Sequence, residues 1–221
     1  MEEIKLLGLD LSLASPEAIE VLLADAADPA IYAEILSSNA NRPEILKMLA
    51  ADPDVPDEIR EAVVKQLNLP ARVAVKHRVA DEARKGSLLQ KIQHLTVGER
   101  IAIALRGGQE IRSLLLKDAN KEVVLTVLKN PKISDTEIEL IAHSRNVPED
   151  ALRAIHKNRE WMKNYSITLA LVNNPKTPPG IGITLVTGLR TKDLAILEKN
   201  KNVPDGVRAV AKKVLAARKT H

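Results

Sequence analysis

Apolar side chains along this chain recur with the period of an α-helix. Residues 17–23 and 122–128 place aliphatic side chains three and four positions apart, which is the stripe of an amphipathic helix. Strict alternation of apolar and polar residues, which would indicate β-strands, is scarce. The pattern therefore predicts an all-α protein.

Proline or glycine breaks this pattern at short intervals. Because proline is tolerated in the first turn of a helix but ends the preceding one, each break predicts a turn between two short helices. Helix starts are predicted at Ser15, which precedes Pro16, and at two capping boxes in residues 96–99 and 134–137. We expect about 11–13 helices of roughly three turns each.

The turns themselves repeat. Residues 54–60, 146–153 and 202–208 share an Asp or Asn followed by Val-Pro and an acidic residue. We expect the Asp or Asn to adopt the left-handed conformation, the valine to fill the space between layers, and the proline to start the next helix. Residues 130–134 and 174–178 form a second set that begins with Asn-Pro-Lys. Recurring corners of this kind predict tandem helical hairpins stacked on one another.

The second set of turns carries a family resemblance. Residues 174–178, Asn-Pro-Lys-Thr-Pro, are followed by Ile181, Ile183 and Leu185, and this order resembles the repeat of bacterial leucine-rich-repeat-variant and HEAT-like α-solenoids. The resemblance covers residues 15–67 and 119–217. It implies an irregular α-solenoid that serves as a scaffold for other macromolecules, and it implies no catalytic residues.

Composition and charge divide the chain. Of its 221 residues 45% are hydrophobic, so the chain can bury a large core, and Tyr32, Trp161 and Tyr165 are its only aromatic residues. Residues 1–70 contain 14 acids and 5 bases, whereas residues 71–221 contain 15 acids and 28 bases. We therefore expect an acidic helical-repeat module at 1–68, connecting helices at 69–108 and a basic helical-repeat module at 109–221, or one continuous solenoid. The charge excess indicates an acidic partner for the basic module, attraction between the modules, or solvated helix faces.

The connecting segment carries a run of cations on a helix predicted from Pro70 to Gly86 and continuing after a break. These cations form either a solvated helix face or part of a hinge between the modules. A solvated face is favoured, because the valines and alanines between the cations supply an apolar side that can be buried. The cations are Arg72, Lys76, His77, Arg78, Arg84, Lys85 and Lys91.

One cluster combines aromatic and basic residues and is the candidate binding site. Such a combination serves stacking on bases, cation–π contacts or the anchoring of a protein partner. Alternatively, Trp161 and Tyr165 share one helix face and pack as core residues, as Tyr32 does if it holds the matching place in an earlier repeat. The cluster consists of Arg153, Lys157, Arg159, Trp161, Lys163 and Tyr165.

Signals for catalysis are poor. The chain has no cysteine, its five histidines form no zinc-protease pattern, and Glu139 with His143 is an isolated pair. We expect no enzymatic activity, no metal and no cofactor; a HEAT-like DNA glycosylase is the least favoured alternative.

The leading functional prediction is a scaffold that binds a protein partner with an acidic surface. The alternative is nucleic-acid binding by the basic module, which Arg112, Arg153, Lys157, Arg159 and Lys163 would favour if they converged on one surface. No window is apolar enough for a membrane span and the N-terminus lacks the order of a secretory signal, so we expect a cytoplasmic protein. Its oligomeric state stays open.

Overall fold

A computed structural model describes residues 10–68 and 81–219 of the chain. The helix predicted from Pro70 therefore lies largely outside the described residues, as do the side chains of all its cations except Lys91, whose Nζ lies 3.0 Å from Glu20 Oε1. The expected break at Gly86 is wrong, because a helix runs without interruption from Asp81 to His94. A Cβ atom on Gly86 would meet nothing within 4 Å, so no neighbouring side chain forces the helix to bend there.

The all-α prediction is confirmed over the described residues, which form fourteen α-helices, one 3₁₀-helix and no β-strand. The chain divides into two compact units, here called unit 1 (residues up to Lys132) and unit 2 (residues from Ile133). Unit 1 contains α1 (Pro16–Ala24), α2 (Ala30–Ser38), α3 (Pro43–Ala51), α4 (Asp57–Leu67), α5 (Asp81–His94), α6 (Val97–Arg106), α7 (Gln109–Leu115) and α8 (Lys121–Val127). Unit 2 contains α9 (Asp135–His143), α10 (Glu149–Lys157), the 3₁₀-helix (Trp161–Lys163), α11 (Tyr165–Asn173), α12 (Pro179–Val186), α13 (Thr191–Lys199) and α14 (Asp205–Lys219).

The described helices outnumber the eleven to thirteen expected, because some helices end without proline or glycine. Between α7 and α8, Asp118 Oδ1 accepts a hydrogen bond from Asn120 N–H at 2.8 Å, and Asn120 Oδ1 accepts one from Glu122 N–H at 2.9 Å. Such side-chain bonds to the backbone turn the chain and cap the next helix. The division expected from charge, at residues 68 and 108, stays a prediction.

The predicted helix starts are confirmed. Ser15 caps α1, with its Oγ accepting a hydrogen bond from Ala18 N–H at 3.2 Å. Both capping boxes form: Thr96 with Glu99 at α6, and Ser134 with Glu137 at α9. These bonds are local, between residues three apart, and for that reason the sequence alone could place them.

The Val-Pro corners are buried as expected but are built differently. Val55, Val147 and Val203 are buried, and each following proline stands one position before its helix. The expected left-handed Asp or Asn is wrong, because Asn68 is the one non-glycine residue with positive φ in the described chain. Instead, the side chain of the C-cap residue of the preceding helix accepts a hydrogen bond from the backbone N–H two positions later. Asp52 Oδ1 does so from Asp54 and Asn200 Oδ1 from Asn202, at 2.9 and 3.1 Å.

The Asn-Pro-Lys corners link helices that are distant in sequence. Buried Asn130 donates from Nδ2 to the carbonyl oxygens of Ala104 and Gly107, at 2.9 and 3.1 Å. Buried Asn174 likewise donates to Ala142 and Ser144, at 2.6 and 3.0 Å. In each case the amide satisfies carbonyl groups at the end of a helix, which no later residue of that helix could satisfy. Both corners therefore fasten a turn to the helix two positions earlier, once in each unit.

The core of unit 2 lies between helices that alternate along the chain. Helix α9 packs on α11, α12 on α14, and α13 on α14. Close approach requires a glycine in α12, because a Cβ atom on Gly182 would lie 2.9 Å from Val207 Cγ2. Tyr165 and Leu185 pack on this core while remaining partly exposed, and they lead to the candidate site. The fully buried members of the core are aliphatic: Val172, Val186, Leu189, Leu194, Leu197, Val203, Val207, Ala211 and Leu215.

Candidate functional site: a basic groove in unit 2

All six residues of the predicted cluster belong to unit 2, around the connection from α10 to α11. Arg153 and Lys157 are on α10, Arg159 follows it, Trp161 and Lys163 are in the 3₁₀-helix, and Tyr165 begins α11. The four cations are exposed and the two aromatic residues are half-buried.

Trp161 and Tyr165 do not share a helix face, so that expectation is wrong. Two asparagines break the helix between α10 and α11. Asn158 Oδ1 accepts a hydrogen bond from Glu160 N–H at 3.0 Å, and Asn164 Oδ1 accepts one from Ser166 N–H at 3.0 Å. The chain therefore leaves the helix at Asn158, makes one 3₁₀ turn, and starts a new helix at Tyr165.

Tyr165 is held on both sides by the start of α13. Its hydroxyl donates to Asp193 Oδ2 at 2.5 Å and accepts a hydrogen bond from Arg190 N–H at 2.9 Å. The guanidinium of Arg190 also lies over the ring, 4.3 Å from its centroid. Burial raises the pKa of the Tyr165 hydroxyl, and the hydrogen bond to Asp193 raises it further. The tyrosine thus serves α13 much as an N-cap side chain would, from a different helix.

The cations of the cluster fall into two classes. Arg153 pairs with Glu149, and Lys163 Nζ lies 2.6 Å from Glu160 Oε2. Lys157 and Arg159 are exposed and form no ion pair or hydrogen bond with any side chain that the structure describes. Their charges are therefore available to a partner.

A groove of about 580 Å³ lies beside this connection. Three members of the predicted cluster line it, Arg159, Lys163 and Tyr165, while Arg153, Lys157 and Trp161 do not. The structure therefore brings half of the predicted site together. The remaining lining residues are His156, Met162, Thr168, Thr184, Leu185, Thr187 and Gly188.

The groove has one feature that its own residues leave incomplete. Nδ1 of His156 is buried and has no hydrogen-bond partner. An orphaned buried polar group costs about 1–3 kcal/mol, and such groups are rare enough in folded proteins to need an explanation. Arg60 Nε and Arg208 Nε share this state outside the groove, so it does not by itself distinguish the groove as a binding site.

The second wall of the groove is formed by the end of α12, and the sequence did not predict it as part of a site. Thr184, Leu185, Thr187 and Gly188 lie there, about twenty residues beyond Tyr165. Arg218 NH1 donates to Leu189 O at 2.7 Å and its NH2 donates to Thr187 O at 2.9 Å, which adds a further guanidinium at this wall. No local signal marks these residues, because their shared position depends on how α11 packs on α12.

The electrostatic balance of the groove is positive. Among its lining residues are one lysine, one arginine and no acid. Unit 2 as a whole has 15 Lys and Arg against 9 Asp and Glu, a net charge of +6. Arg112, whose convergence with these cations would favour nucleic-acid binding, is 4% exposed in unit 1, where its NH1 donates to Gly107 O. Buried there, it offers no exposed charge to a ligand.

Other chemistry finds little support in the part of the chain that the structure covers. No three His, Asp or Glu residues stand where they could share a metal ion in residues 10–68 and 81–219. Across the same ranges, no helix is both long enough and apolar enough to cross a lipid bilayer. No protein-family model, curated protein or solved structure matches the chain.

Proposed function

We propose that the protein is a non-catalytic interaction scaffold and that the groove of unit 2 binds an acidic segment of a protein partner. The observation that carries the proposal is Arg159, an exposed cation that has no partner among the described residues and lies in a groove lining that contains no acid. A lining without a carboxylate also lacks the group that a glycosylase-like enzyme would use for acid–base chemistry. Electrostatic complementarity of this kind selects a partner of opposite charge.

The scaffold in this proposal is an irregular, HEAT-like α-solenoid. Support comes from the two Asn-Pro-Lys corners, since Asn130 and Asn174 make the same pair of bonds to a helix end some 23 to 32 residues earlier. Packing of α9 on α11 and of α12 on α14 is also what stacked hairpins require. Solenoids of this kind present extended surfaces to their partners.

Nucleic-acid binding is the second candidate, and the net charge of +6 on unit 2 favours it. Two contacts weigh against it. Arg190 covers one face of the Tyr165 ring, which removes that face as a platform for a base. Arg153 and Lys163 already have carboxylate partners, which reduces the charge they offer to phosphates.

The proposal is tested by fluorescence polarisation with the full chain and two labelled probes, a glutamate-rich peptide and a DNA duplex of equal net charge. We expect the peptide to bind, and Arg159→Glu to weaken its binding by about tenfold or more. The matched control is Lys213→Glu, an equal charge reversal at an exposed residue of α14 that does not line the groove. It should leave binding within about twofold of the original.

Two results would overturn the proposal. One is peptide binding that Arg159→Glu and Lys213→Glu reduce equally, which would place the interaction outside the groove. The other is preferential binding of the duplex with an affinity that falls by about a thousandfold between about 50 and 200 mM salt, which would select nucleic acid instead. Circular dichroism of both variants verifies that the helices are retained.

A further inference from the structure

The groove offers two kinds of chemistry to a ligand. Arg159 supplies positive charge, while the charge of Lys163 is reduced by its pairing with Glu160. Met162 and Leu185 are both only partly buried, and they supply apolar surface. A ligand that carries charge alone would leave this apolar surface in water.

The threonines of the groove offer hydrogen-bond acceptors. Thr184 Oγ1 donates its proton to Gly180 O at 2.9 Å, and Thr187 Oγ1 donates to Thr184 O at 3.0 Å. Thr168 Oγ1 is 3.4 Å from Asn164 O. A hydroxyl has a single proton, so these oxygens have only lone pairs left for a ligand. They would therefore pair with N–H donors, such as those of a peptide backbone.

The size of the groove limits what can enter it. Its volume of about 580 Å³ lies within the range of roughly 300–1,000 Å³ that is usual for sites holding a small ligand. A few consecutive residues of a partner fit that space. The matching occupant combines negative charge, apolar surface and N–H donors within a short stretch.

We infer that the groove recognises a short extended peptide segment in which an acidic side chain stands next to an apolar one. In this arrangement the carboxylate faces Arg159, the apolar side chain covers Met162 and Leu185, and the peptide N–H groups face the threonine oxygens. The inference rests on the proposed function, since it specifies the partner of the same groove.

The test compares three labelled peptides of equal length against the full chain, with cores Glu-Leu-Glu-Leu, Glu-Ser-Glu-Ser and Gln-Leu-Gln-Leu. We expect the first to bind about tenfold or more tightly than either of the others, because each of them lacks one of the two matching features. Equal affinity for the two glutamate peptides would overturn the inference.

Two variants of the protein test the two features separately. Met162→Gln keeps the length of the side chain but removes apolar surface, so it should weaken the Glu-Leu peptide by about fivefold and leave the Glu-Ser peptide unchanged. Arg159→Glu should weaken both glutamate peptides and spare the Gln-Leu peptide. Lys213→Glu serves again as the charge control.

The outcomes separate the two claims. If Arg159→Glu weakens neither glutamate peptide, the groove does not bind acidic segments and the proposed function fails. If Arg159→Glu weakens both, but Met162→Gln changes neither, the acidic partner stands and the apolar requirement fails. Tighter binding of a DNA duplex than of all three peptides would contradict both.

Discussion

Asp25 accepts hydrogen bonds from the backbone N–H groups that follow helix α6 in unit 1, whereas a cation that follows α10 in unit 2 has no partner among the described residues. Asp25 Oδ2 accepts a hydrogen bond from Ile111 N–H at 2.8 Å, and Asp25 O accepts one from Gly108 N–H at 2.6 Å. After α10 in unit 2, the exposed guanidinium of Arg159 has no partner among the described residues. Polar groups that are satisfied internally hold the fold, whereas an exposed cation without a partner is available for binding.

The same contrast extends to the charged residues of unit 1. Arg100 Nε lies 2.8 Å from Asp118 Oδ2, and Arg106 NH1 lies 2.6 Å from Glu34 Oε1. Each of these pairs joins two parts of unit 1, so its cations have an internal role. Total charge alone is therefore a poor guide to a binding surface, and the pairing of each cation must be known.

The largest expected effect comes from the buried Val-Pro corners. Val147 is 1% exposed, so Val147→Asp should lower the free energy of unfolding by about 3–4 kcal/mol, because an unpaired carboxylate would be buried. The matched control is Val97→Asp at the first turn of α6, where the valine is 40% exposed and an acid suits the helix dipole. Urea denaturation measures both. A Val147→Asp protein as stable as the Val97→Asp protein would mean that residue 147 is exposed to solvent.

An intermediate effect is expected from a pair of glycines, one beside Asp25 in unit 1 and one in the groove of unit 2. A Cβ atom on Gly108 would lie 2.2 Å from Asp25 Oδ1, so Gly108→Ala should destabilise the protein by about 2 kcal/mol. A Cβ atom on Gly188, in the groove, would meet only Leu185 O, at 3.6 Å. Gly188→Ala should therefore change the stability by less than about 0.5 kcal/mol. Thermal melts of the two variants compare them directly, and equal losses of stability would contradict this difference between the two regions.

A smaller effect than that of Gly108→Ala concerns Tyr165, which borders the groove but stabilises the fold. Tyr165→Phe should lower the free energy of unfolding by about 1 kcal/mol at neutral pH, because Asp193 and Arg190 N–H both lose a partner. Since folding raises the pKa of this hydroxyl, its contribution is complete below the unfolded pKa of about 10 and is lost as the pH rises through the higher folded pKa. Urea denaturation of both proteins across that range should show the difference disappearing at alkaline pH. A difference that grows with pH would contradict the assigned role.

Sequence reasoning was most successful where the interactions are local. The capping boxes at Thr96 and Ser134 and the cap at Ser15 depend on residues three apart, and all three were predicted. It failed where side-chain bonds of asparagine replaced proline as the helix breaker. Asn158 ends α10 before Trp161, and Asn164 separates Trp161 from Tyr165; an asparagine in a polar stretch is too common to signal such a break on its own.

Three of the six residues of the predicted cluster line the groove, and they are three of its ten lining residues. Arg159, Lys163 and Tyr165 stand out in the sequence because cations and an aromatic residue occur together there, and all three line the groove. Thr184, Thr187 and Gly188 carry no such signal, since small residues at the end of a helix are ordinary.

The sequence by itself determined that the chain is helical, where most of its helices begin, and that its Val-Pro corners are buried, because these features follow from the spacing of apolar residues and from capping bonds a few residues long. The ion pairs Arg153–Glu149 and Lys163–Glu160 are local as well, since their partners are four and three residues apart. Tertiary structure decided the long-range partners, such as Glu34 for Arg106 and Asp193 for Tyr165, because only folding brings residues that are far apart in the chain together. The groove exists for the same reason, because the packing of α11 on α12 sets two walls side by side that the sequence keeps apart.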